Sequence, residues 1–84
     1  MIDDIQEDEY EIYLFDDNIN TVSFVIETLS RVLEYPLELS TKLIGEIERK
    51  GKVHIETCGK EKAIEIRDLL ISFGLKANIC KSEV

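Results

Sequence analysis

One histidine and two cysteines in 84 residues leave little material for side-chain chemistry. A nucleophile needs a positioned base, and the lone His54 stands in an alternating apolar and polar run, the pattern of a residue on a wet face or at a partner contact. Enzyme activity is therefore not expected. Cys58 and Cys80 are far apart and lack the paired C-x-x-C spacing of zinc and redox sites, so they are expected to be free thiols in a reducing compartment. No apolar run approaches the ~20 residues that span a bilayer. The acidic start Met1-Ile2-Asp3-Asp4 is the opposite of a secretory signal, so a cytoplasmic protein without a membrane partner is expected.

Positive charge is missing from a whole segment: residues 1 to 18 hold eight acids and no base, whereas the remainder balances ten acids against ten bases, for a net charge of −8. Nucleic-acid phosphates demand a clustered basic surface. The nearest approach to one is Arg49, Lys50 and Lys52, which reads as a solvated helix end, so no nucleic-acid partner is expected. A chain this short supports one domain and one small core, without a cleft between domains. There is no internal repeat and no low-complexity linker. Residues 1 to 9, acidic and poor in apolar side chains, are expected to form a flexible tail, and residues 10 to 84 the folded domain.

What is present is a regular alternation of strand and helix patterns. From Tyr10 to Phe15, Ile12 and Leu14 fall on one face and Tyr13 and Phe15 on the other, which predicts a strand. Asn20 or Thr21 can cap a helix whose apolar positions Val22, Val25, Ile26, Leu29, Val32 and Leu33 recur at helical intervals. Pro36 interrupts that ladder and favours the first turn of a second helix, lined by Leu39, Leu43, Ile44 and Ile47. Gly51 ends it, with Arg49 and Lys50 complementing the negative end of its dipole. Val53, Ile55 and Thr57 alternate with His54, Glu56 and Cys58 as a second strand. A third helix from about Lys60 to Phe73 buries Ala63, Ile66, Leu70 and Phe73 and stops at Gly74. Leu75, Ala77 and Ile79 alternate with polar neighbours as a third strand. The order strand, helix, helix, strand, helix, strand predicts a two-layer α+β fold, a three-stranded antiparallel sheet with helices on one face.

The junction between the first strand and the first helix carries Asp16-Asp17. Adjacent carboxylates there can serve a turn or a site, because Asp side chains hydrogen-bond nearby backbone. With Glu48 they would also make hard oxygen ligands for Mg²⁺ or Ca²⁺, the basis of a competing metal-enzyme reading.

Tyr10-Glu11-Ile12-Tyr13-Leu14-Phe15-Asp16-Asp17-Asn18 resembles the strand and following Asn-Asp-Asp of the ClpS adaptors, which deliver proteins with destabilising N-terminal residues to the Clp protease. Phe24-Val25-Ile26, the Gly51-Lys52 pair, and Glu61 followed by Ala63 extend the resemblance from Tyr10 to about Lys81. It implies a pocket for the first residue of a polypeptide. By position, Asp16 replaces the family's amino-binding Asn, Asp17 keeps its amino-binding Asp, and Glu48 replaces its amino-binding His. Val22, Val25, Ile44, Ile47 and Leu75 fall on the side-chain hole and remain apolar.

Carboxylates are workable substitutes, since an ammonium offers three donors and a positive charge. Their mutual repulsion is expected to raise the pKa of at least one acid or to recruit a cation. Glu61 matches an acidic position used against the ATPase, while Ile66 stands in place of a later docking Lys, implying an altered partner surface. The expected partners are the N-terminal domain of a Clp AAA+ ATPase and N-degron substrates, with a monomeric state, no cofactor and no metal. Two alternatives remain open in the sequence: a Clp-docking relative with altered or lost degron recognition, and a ribosomal-stalk-like interaction domain with the same order of elements.

Overall fold

The computed structural model describes residues 8–17 and 19–82. Its elements run β1 (Glu9–Phe15), α1 (Val22–Leu33), α2 (Leu37–Lys50), β2 (Lys52–Gly59), α3 (Lys60–Ser72) and β3 (Lys76–Lys81). This is the α+β order expected, and β1 lies centrally in an antiparallel sheet ordered β2-β1-β3. Helices α2 and α3 pack directly on strands, and α1 lies against both of them. Ile12, Leu14, Leu29, Ile47, Ile55, Ala63, Ile66, Leu70 and Leu75 form the core between the layers. Full burial of a Leu or Ile stabilises by roughly 1.5–3 kcal/mol, so this cluster dominates the stability of the domain.

Local chemistry explains the boundaries. The Thr21 hydroxyl accepts the Phe24 amide at 3.1 Å and so caps α1, which decides between the two candidate caps. Pro36 precedes the first turn of α2. Gly51 closes that helix at φ 86°, a left-handed conformation that glycine adopts without strain.

Four expectations need correction. Strand β1 begins at Glu9, whose carbonyl accepts the Ser82 amide, and Asp8 pairs with Lys81 at 3.3 Å. Those two residues therefore belong to the folded domain, while residues 1–7 of the expected tail lie outside the described residues. In β2 the alternation breaks: Ile12 pairs with Glu56 and Tyr13 with His54, so Ile55 is an extra residue. A bulge of this kind flips every later side chain. Thr57 is consequently exposed and Cys58 half-buried against the core, the reverse of simple alternation. The half-buried Tyr35 places its hydroxyl within hydrogen-bonding distance of the Ile55 carbonyl and the Glu56 carboxylate, and partial burial together with Glu56 pushes its pKa upward. Leu39 and Phe73, expected in the core, are 37% and 36% exposed, Leu39 at the margin of the apolar face of α2 and Phe73 immediately beyond the end of α3. Ile66 is 5% exposed. An inward side chain there cannot stand in for a surface lysine, so no change in docking surface can be read from it.

Candidate functional site

At its C-terminal end β1 leaves the sheet beside the last turn of α2 and the start of α1. The Asp16 amide donates to the Gly51 carbonyl at 3.0 Å, which fastens the strand end to the turn that closes α2. From Asp17 the chain turns sharply. The Asp17 Oδ1 accepts the amides of Ile19 and Asn20, both at 2.9 Å, and Oδ2 accepts Asn20 Nδ2 at 3.0 Å. Asn20 Nδ2 also donates to the Gly74 carbonyl at 2.9 Å, tying this turn to the link between α3 and β3. Aspartate suits such a turn because its oxygens reach amides two and three residues ahead.

These ties surround a cavity of about 110 Å³, lined by Leu14, Phe15, Asp16, Asp17, Asn20, Val22, Val25, Ile44, Ile47, Glu48 and Leu75. The structure thus brings together all eight residues singled out from the sequence as amino-group or side-chain contacts. Ile44, Ile47 and Leu75 are buried, Val25 is half-buried, and Val22 is 48% exposed, which puts it at the mouth. Helical spacing accounts for α2's share: Ile44, Ile47 and Glu48 lie three and four positions apart on one face.

The sequence marks Asn20 only as a candidate helix cap, and its bridging role emerges from the fold. The Asp-x-x-Asn spacing between positions 17 and 20 was the available signal for the turn, but the Gly74 partner lies 54 residues away. Leu14 and Phe15, expected from the sequence as strand residues, also line the cavity.

The electrostatics depart from simple repulsion among acids. The Asn20 amide, aided by the Asn20 side chain, the Ile19 amide and the Lys76 charge, holds the Asp17 carboxyl below the usual range against the opposing effect of burial. The upward push expected for one acid is thus not found at Asp17. A carboxylate has about four lone-pair positions. Three at Asp17 are occupied by the turn, which leaves one on Oδ2 for a ligand donor. Among the described residues no group of three or more His, Cys, Asp or Glu side chains converges to hold a metal ion. An apolar hole with carboxylates at its mouth accommodates a ligand that is apolar at one end and cationic beside it. For scale, a ~150 Å³ apolar cavity accepts a benzene ring.

The other residues proposed from the sequence lie elsewhere. Glu61 is exposed in the first turn of α3. His54 is exposed on the open sheet face, its ring edge-on to Tyr13 and its Nε2 2.7 Å from the Thr57 hydroxyl.

The comparisons with known proteins agree with this architecture. No curated protein matches the chain. The fold is similar to that of Agrobacterium tumefaciens ClpS2, solved bound to L-phenylalaninamide, with a TM-score of 0.77 and 20% identity over 92% of this chain and 100% of that one. The family model described as the ATP-dependent Clp protease adaptor protein ClpS matches residues 5–78. That span covers most of the sequence, and the chain belongs to the ClpS family of Clp protease adaptors.

Proposed function

We propose that the chain binds the free N-terminal residue of a substrate polypeptide in the cavity between β1, α1 and α2, and delivers that substrate to a Clp AAA+ ATPase. The observation that carries this reading is the joint placement of Asp16, Asp17, Glu48 and five apolar side chains around one cavity. A polypeptide terminus has the complementary form, an ammonium next to a side chain that can fill the hole. The ligand of the A. tumefaciens ClpS2 structure, an amino-acid amide, has the same form and supports the reading.

In this reading Asp17 is the principal amine contact. Its charge is secured by the turn, its Oδ2 keeps one free lone-pair position, and its hydrogen bonds fix its direction. Charge-assisted hydrogen bonds of this kind are roughly twice as strong as neutral ones. Asp16 and Glu48 supply a wider negative field at the mouth. Val22 and Val25 from α1, Ile44 and Ile47 from α2, and Leu75 before β3 form the hole for the first side chain. Glu61, on a different element, is the contact for the N-terminal domain of the ATPase, and the adaptor acts as a monomer in the cytoplasm.

The Asp16 and Glu48 replacements also define the second reading, a relative that docks on the ATPase without recognising amines. The two are separated by anisotropy titration of a labelled peptide with a free or an acetylated α-amine. Saturable binding of the free form alone supports recognition of the terminus. Absence of binding by either form, with ATPase capture intact, supports the docking-only relative.

A further inference from the structure

The cavity mouth holds more negative charge than a single ammonium can neutralise. Asp17 is already compensated, by three N–H donors and by the charge of Lys76. Glu48 is not. Arg49 and Lys50, its neighbours in sequence, are both drawn to Glu46, at 3.0 and 3.3 Å, and no basic residue lines the cavity. Asp16 shares an adjoining groove with Lys76, yet among the described residues neither Asp16 nor Glu48 forms an ion pair. Nor do the three carboxylates converge on a point where one ion would touch them all. An ammonium bound at Asp17 therefore leaves Glu48 facing the ligand without a partner.

We infer that the site selects polypeptides whose second residue is Lys or Arg, an inference that rests on the cavity's receiving an N-terminal residue. The second residue is the first outside the hole, because consecutive Cα atoms are ~3.8 Å apart. Its side chain leaves along the rim. A long flexible cation there reaches Glu48, whereas a second-residue Asp or Glu meets like charge. Glu48 is thus a specificity determinant for the position after the one that fills the hole.

The experiment uses the full chain and three free-amine peptides identical except at the second residue, which is Lys, Ala or Glu, each with an acetylated control. Lys should bind about three- to fivefold more tightly than Ala, and Glu more weakly than Ala by a similar factor, the scale of a solvent-exposed ion pair. The differences should shrink in ~1 M salt, where the Debye length falls to about 3 Å. Glu48→Gln should close most of the gap between Lys and Ala, and Asp16→Asn a smaller part of it. Amine-dependent binding that ignores the second residue overturns this inference alone. A Lys preference that survives unchanged in both variants also overturns it, by removing its source. Equal binding of acetylated peptides overturns the terminus reading, and the inference with it.

Discussion

The wall of the cavity and its mouth are built from different materials under different constraints. Ile44, Ile47 and Leu75 line the cavity and are buried, with Ile47 and Leu75 also in the core cluster, so their apolar character serves folding and, in the proposed function, binding as well. Asp16 and Glu48 are exposed and have no hydrogen-bonded or ionic side-chain partner among the described residues. Folding constrains the wall and leaves the mouth free to vary. Asp17 belongs to both categories, since it shapes the turn and presents charge. At the positions that the resemblance assigns, this contrast accounts for two changed rim residues beside five that stay apolar.

The largest effect that would break the contrast is expected at the wall. Ile47→Ala should lower stability by about 2–5 kcal/mol in denaturant unfolding and abolish peptide binding, through lost burial and the cavity left behind. Glu48→Ala should leave the unfolding midpoint nearly unchanged. Equal midpoints for the two variants would remove the distinction between wall and mouth.

Asp17 sharpens it. Asp17→Ala should weaken binding of a free-amine peptide about ten- to a hundredfold, the consequence of removing one partner of a charge-assisted bond worth ~1.5–3 kcal/mol. It should also lower the unfolding midpoint, because the Ile19 and Asn20 amides lose their acceptor. The pH dependence has a definite sign. The folded pKa lies below the unfolded value of 3.8, so the carboxylate's contribution is present above about pH 4 and is lost as pH falls through the folded pKa. Asp17→Asn should therefore flatten part of the acid limb of a stability-versus-pH curve, and an unchanged limb would remove Asp17 from that account.

Smaller effects are expected away from the cavity. Glu61→Lys should reduce pull-down of a cognate ATPase N-terminal domain while peptide affinity stays within about twofold, as for an exposed charge remote from the pocket. Loss of both activities together would indicate misfolding. Smallest in stability is removal of residues 1–7, the part of the acidic segment that precedes Asp8 and Glu9. The melting temperature and peptide affinity should hardly change, whereas substrate degradation by the ATPase and protease should fall. Full-rate degradation would make the segment dispensable for delivery.

Much of this was legible in the chain because it depended on local periodicity. Apolar spacing in α1 and α2, the break at Pro36 and the stop at Gly51 each act within one turn of helix, and the elements follow them. Family resemblance then placed the carboxylates and the five apolar side chains, which folding gathers from α1, α2 and the links before α1 and before β3. What was not legible was non-local. The bulge at Ile55 depends on pairing with β1, and Tyr35 meets that bulge from 20 residues away, so alternation alone assigned Thr57 and Cys58 to the wrong faces. The Asn20 bridge to Gly74 is hidden for the same reason. Asp17's lowered pKa could not be anticipated from counting acids, because the amides that cause it are supplied by the turn itself.

The central claim, that the cavity receives a free polypeptide terminus, is tested most directly by amide-resolved NMR titration with a short peptide of apolar first residue. The account predicts that shifts concentrate at Asp17, Asn20, Val25, Ile47, Glu48 and Leu75 and vanish when the same peptide is acetylated. Shifts centred instead on the open sheet face around Tyr13 and His54, or an identical map with the acetylated peptide, would contradict it.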